Sequence, residues 1–179
     1  MLQDSGLIHE IKNLIATARE TAIRTVDFQR TLLYWHIGER IFNEEQRGKE
    51  RADYGTYLVK QLSEALQPEF GSGFSFRNLN WYRQFYRMFP IVNTLRSQLT
   101  WSHYRLLLRI EDQDKREYYI AETVKNNWSV RQMERQVNSQ LFERLLLSND
   151  KESVLAVARN EELPTRPEEI IKDPMVLEF

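Results

Sequence analysis

Five polar side chains between residues 75 and 90, Arg77, Asn80, Arg83, Gln84 and Arg87, have the types and spacing for binding chemistry. They belong to the stretch SFRNLNWYRQFYRMFP, which carries three arginines and no carboxylate. On a helix turning about 100° per residue they share one arc, while Leu79, Trp81, Tyr82, Phe85, Tyr86, Met88 and Phe89 take the other half. A solvated helix face ordinarily mixes Glu with Lys or Arg; this one is built from Arg, Asn and Gln alone. Arginine holds phosphates, and Arg, Asn and Gln are the side chains that read base edges. The pattern is therefore that of a nucleic-acid surface, with a solvated face as the plainer reading. The aromatics sit on the apolar half, where packing is expected of them rather than base stacking.

A second polar set follows at Arg131, Arg135 and Asn138, opposite an apolar face of Val130, Met133, Val137 and Leu141. Glu134 and Glu143 dilute its charge. Segments 102–110, 113–126 and 129–143 have lengths suited to a helix-turn-helix-like unit, with KNNWS as the turn.

Catalytic constellations are not evident. Glu10 and Lys12 have the Glu-x-Lys spacing of a metal-dependent nuclease, but they lie in an amphipathic helical pattern with only Asp4 as an acid upstream. There is no glycine-rich phosphate loop and no G-x-S-x-G. The three histidines, His9, His36 and His103, are far apart, and there is no cysteine. No metal or cofactor is expected, and the chain reads as a non-enzyme.

The elements that must position these residues are helices. Six glycines and five prolines in 179 residues are too few for strands with tight turns, so the expected fold is all-α. Residues 7–47 carry Ile8, Ile11, Ile15, Ala18, Ala22, Val26, Leu33, Ile37 and Ile41 near helical spacing, as one long helix or two nearly collinear ones. That length exceeds a typical globular helix, so it either breaks near Val26 and Asp27 or extends outward to pair with another chain. Residues 46–55 read as a loop, and a helix over 56–67 is expected to end at Pro68. Further helices are expected at 75–89, 102–110, 113–126 and 129–147. Three of these starts share an aromatic, a serine cap and an apolar residue four positions on: Phe74-Ser75 with Leu79, Trp101-Ser102 with Leu106, and Trp128-Ser129 with Met133.

Charge divides the chain although its net value is only −1. Residues 70–110 hold six arginines and no acid, whereas residues 150–179 hold eight acids against four bases and read as an acidic linker after a helical domain over 1–149. KESVLAVAR (151–159) has the look of a short helix within it. No apolar run is long enough to span a membrane. The absence of cysteine fits a cytoplasmic protein.

Several segments together resemble a known family: LLYWHIGERI (32–41), YGTYLVKQLSEALQPEFGSGFSFRNLNWYRQFY (54–86), LTWSHYRLLLRI (99–110), KREYYIAETVKNNWSVRQMERQV (115–137) and KDPMVLEF (172–179). They look like the N-terminal domain of YhcG-type bacterial proteins, and they cover nearly the whole chain in the same order. The resemblance implies a helical domain that binds DNA or mediates assembly, followed by a C-terminal PD-(D/E)XK nuclease domain. The carboxylates and lysine of such a nuclease have no counterpart here. The apolar end PMVLEF is expected of a domain piece or a truncated product. The reading is thus a DNA-binding domain, dimeric through its N-terminal helix, that holds a tethered nuclease on its substrate. The rival is a docking module that touches no nucleic acid. Arg83 and Arg87 paired to the glutamates of the acidic segment would favour the rival.

Overall fold

The computed structural model describes residues 4–48 and 54–148. The elements are α1 (Asp4–Arg47), α2 (Tyr54–Phe70), α3 (Phe76–Met88), α4 (Trp101–Leu107), α5 (Gln113–Asn126), α6 (Val130–Asn138) and α7 (Leu141–Leu147). Single 3₁₀ turns stand at Ser72–Phe74 and Val92–Thr94. The described residues are all-α, with no strand. They fall into two compact units, Met1–Leu108 and Arg109–Phe179. The acidic segment 150–179, with its short predicted helix, lies outside the described residues.

In the first unit α1 runs without a break past Val26 and Asp27. Its two halves differ sharply. Residues 6–26 are exposed throughout, and burial begins in earnest at Thr31 and continues through Trp35, Gly38 and Ile41. That second half packs along α3. Gly38 marks the closest approach: a Cβ there would stand 2.0 Å from the Tyr82 carbonyl oxygen and 2.6 Å from its carbon, so the two backbones touch. Around this crossing Ile41, Val59, Leu79 and Tyr82 form the core, with Tyr34, Ile37, Leu62, Phe74 and Trp101 against it.

The aromatics of α3 are packing residues. Tyr34 stacks on Tyr82 at 4.2 Å and 9°, and the Trp101 ring meets both edgewise at 5.2 Å. Phe85 bridges from Trp101 to Tyr104. Three polar handles in this cluster have a partner, as buried Tyr and Trp usually do. The Trp35 indole donates to the Phe89 carbonyl at 2.6 Å, the Tyr82 hydroxyl to the Gly73 carbonyl at 2.9 Å, and the Arg96 amide to the Tyr104 hydroxyl at 2.8 Å.

Two boundaries depart from the expected ones. α2 does not stop at Pro68 but carries it to Phe70, where Gly71 at φ 87° closes the helix with its amide on Gln67. Pro68 has no amide to donate to the Glu64 carbonyl, and the helix ends two residues later. Ser102 is not a cap: α4 begins at Trp101, Thr100 is the N-cap, and the Thr100 amide donates to His103 Nδ1 at 3.1 Å. At α3 Ser75 does occupy the N-cap, with extended backbone, but its hydroxyl makes no capping bond. The Phe74 ring packs against the cluster that holds Leu79.

In the second unit Asp112 caps α5 by accepting from the Lys115 amide at 2.8 Å. α5 ends on Asn127 in the left-handed region at φ 50°, Trp128 turns inward, and Ser129 with Gln132 forms a capping box that starts α6. α5 and α6 are thus joined by a short turn, a helix–turn–helix connection. The helix expected over 129–147 is two helices, α6 and α7, parted at Gln140 with φ 53°. The reason is tertiary. Tyr119 is fully buried, and its hydroxyl donates to the Gln136 carbonyl at 3.1 Å and accepts from the Phe142 amide at 3.4 Å, on either side of the break. Met133 and Leu141 close this core, and Lys115 pairs with Glu143 to tie α5 to α7.

Burial pushes the Tyr104 and Tyr119 hydroxyls up to about 12. The sign of the linkage follows: above pH ~10 the unfolded chain ionises these two tyrosines while the folded chain keeps them protonated, so stability falls as pH rises. Unfolding free energy is expected to hold steady up to pH ~10 and then to drop by about 1.4 kcal/mol per pH unit for each such tyrosine, up to pH ~12. Urea titrations from pH 8 to 11.5 check this. Tyr119→Phe should flatten the decline of the second unit.

Candidate nucleic-acid interface and pairing surface

The polar arc of α3 splits in the structure. Arg77 and Arg87 project from exposed positions and make no ion pair or hydrogen bond among the described residues. Arg83 is half-buried and pairs with Glu45 of α1. Its other terminal nitrogen donates to Asn80 Oδ1 at 2.7 Å, and the Asn80 amide donates to the Phe76 carbonyl at 2.8 Å. Gln84 donates to the Leu108 carbonyl at 3.0 Å and lies 3.7 Å from the Met88 sulfur. Three of the five side chains therefore serve the fold, and two remain for a partner.

The Glu45 carboxylate is the piece that sequence reasoning missed. It also lies against α2, where a Cβ on Gly55 would stand 2.1 Å from its oxygen, so Glu45 ties α1, α2 and α3 together. It is 38 residues from Arg83. The only sequence signal for it is its place on the helix: it lies on the side of α1 that carries Thr31, Trp35, Gly38 and Ile41.

Arg77 and Arg87 are ten residues apart, about 15 Å along the axis and on neighbouring sides of α3. Arg87 stands at the rim of a shallow cleft formed with Phe42, Glu45, Gln46, Tyr86 and Pro90. In the second unit Arg131, Arg135 and Asn138 are all exposed on one side of α6, with Glu134 among them, while Met133 and Gln136 are buried on the other. The two units present their basic residues on separate helices.

The exposed half of α1 carries a run of uncovered apolar side chains. Leu7, Ile8, Ile11, Leu14 and Ile15 are 46–70% exposed, and Ile23 and Val26 about as much. Taking about 100° per residue, the stripe of Ile8, Ile11, Ile15, Ala18 and Ala22 points roughly opposite to the face that buries Thr31, Trp35, Gly38 and Ile41. Leu33, 50% exposed, continues the outward stripe. The helix is amphipathic twice over, with one apolar side turned to its own core and the other turned away from it.

Among the described residues no group of three His, Asp or Glu side chains could hold a metal ion, and no helix is long and apolar enough to cross a membrane. The chain is 36% identical to the "Putative nuclease YhcG" of Escherichia coli (strain K12), in an alignment that covers 97% of this chain and 54% of that protein. The chain thus spans about half the length of the curated relative it matches. No solved structure matches it. The DUF1016 N-terminal domain matches residues 10–144, most of α1 through α7. With the family's match spanning both helical units, the chain belongs to the DUF1016 N-terminal domain family.

Proposed function

We propose that this chain is a dimerising DNA-binding domain that positions a nuclease domain of the same protein on its substrate. The observation that carries the reading is the apolar stripe on residues 7–26 of α1, which faces away from the core and which the chain's described residues leave uncovered. A rod of this kind gains stability only when another surface covers it. Two copies joined there would carry two sets of exposed arginines, Arg77 and Arg87 from α3 and Arg131 and Arg135 from α6. Their work is to neutralise phosphates. Asn80, Arg83 and Gln84 spend their hydrogen bonds within the fold, so the first unit is suited to backbone contact rather than to base reading.

The chain's own share in this reading is placement, and the catalytic step belongs to the attached domain. A nucleic-acid partner and a cysteine-free chain suit the bacterial cytoplasm. Arg77→Ala with Arg87→Ala tests the DNA contact without touching the core. Duplex affinity is expected to fall by about 100-fold at low salt. The slope of log K against log salt should shallow by about 0.9 for each phosphate lost. An unchanged slope and affinity would contradict the DNA reading. Arg83 does not belong in that test, since its loss strands the half-buried Glu45 carboxylate.

The docking alternative has one observation in its favour: the arginine in the middle of the α3 arc is already neutralised by Glu45. It differs in outcome, because a docking module dimerises and ignores duplex DNA at every salt concentration.

A further inference from the structure

We infer that two copies pair along α1 in antiparallel register, with Ile11 of one copy against Ala22 of the other and Ile15 against Ala18. The inference rests on the dimer reading above and specifies its geometry. Up to Ala22 the stripe is lopsided: large residues Ile8, Ile11 and Ile15 come first and small residues Ala18 and Ala22 follow, with Val26 beyond them. Parallel copies would set isoleucine on isoleucine at one end and alanine on alanine at the other. The isoleucines would hold the axes apart and leave voids between the alanines, which close-packed interfaces avoid. Reversing one copy seats Ile11 and Ile15 over alanines at constant axial spacing. Ile8 then meets Thr25. Leu14 flanks the seam on the same side and again finds Ala18 near it.

The lengths agree as well. In this register Asp4 of one copy lies opposite Gln29 of the other. The exposed segment reaches almost to that point, and burial on the chain's own core begins at Thr31. In this register residues 7–26 of one copy lie against residues 7–26 of the other, short of Thr31. In a parallel pair the folded parts of both copies would crowd one end of the rod. Covering Leu7, Ile8, Ile11, Leu14, Ile15 and Val26 removes on the order of 600 Å² from each copy, ~1,200 Å² in all, the size at which specific interfaces begin.

The chain has no cysteine, so introduced thiols report without interference. Ile11→Cys and Ala22→Cys are prepared as separate proteins, checked for helicity by circular dichroism, and oxidised alone and as an equal mixture. In the antiparallel register each residue lies about 16 Å along the axis from its own copy, far beyond the ~7 Å that a disulfide spans between Cα atoms. The expected result is a mixed disulfide in good yield and at least a tenfold lower yield of either self-linked species. Self-linked Ile11→Cys in good yield means a parallel pair; it overturns the register and leaves the dimer standing. A dimeric mass without mixed product also overturns it. A monomeric mass at every concentration overturns both the register and the dimer reading, and leaves the stripe to a different protein.

Discussion

Replacing Ile11 and Ile15 together by Asp is expected to turn the chain into a monomer, with the dimer dissociation constant raised by about 10³-fold or more. Both side chains are about half exposed, at 46% and 48%, and lie in the exposed half of α1. In a monomer such substitutions belong to the class that moves stability by no more than about 0.5 kcal/mol. In the pair each copy contributes two carboxylates to an apolar seam, and each lost isoleucine forfeits about 1.5–3 kcal/mol of burial. The same change should loosen the first half of α1, since a helix without a covered apolar face is marginal in water. The core around Gly38 should melt as before. A sedimentation dilution series and far-UV circular dichroism read the two effects separately. An unaltered association constant would mean that the stripe is not the seam.

The second large effect is at Gly38. Gly38→Ala gains up to ~1 kcal/mol in helix propensity, yet it is expected to destabilise the first unit by about 3–5 kcal/mol, lowering its melting temperature by roughly 10–20 °C. The added carbon would stand 2.0 Å from the Tyr82 carbonyl oxygen and 3.2 Å from the Tyr86 Cβ. The first contact is with backbone, so no rotamer change relieves it. α1 and α3 must separate, and the stacked Tyr34–Tyr82 pair separates with them. Gly6→Ala is the control. Its Cβ meets nothing within 4 Å, so the same substitution on the same helix should be neutral or mildly stabilising. Chemical unfolding shows a large loss of stability for Gly38→Ala and none for Gly6→Ala if the crossing is as described.

Local rules located most helices, because amphipathic spacing and the cap at Ser129 act within a turn of the residues that form them. They fell short wherever a residue distant in sequence decides the outcome. The break between α6 and α7 is set by the Tyr119 hydroxyl, which reaches Gln136 and Phe142 from another helix. Thr100 outcompetes Ser102 as the cap because His103 can accept from the Thr100 amide. At the candidate site the arc of α3 was legible as one-signed, and it is so within its own helix. Its neutralising acid comes from α1, and helical periodicity carries no information about which helices become neighbours. The outward stripe was visible as a helical repeat. That it points away from the chain's own core, while Trp35 and Ile41 face it, could be read only from burial.

The central claim is that this rod of α1 joins two copies. Its most direct test is the molar mass of the chain by light scattering over a dilution series, with and without a short duplex. A mass of twice 21.5 kDa at micromolar concentration, halved by Ile11→Asp with Ile15→Asp, is the predicted result. A constant 21.5 kDa across the series, duplex present or absent, would contradict it.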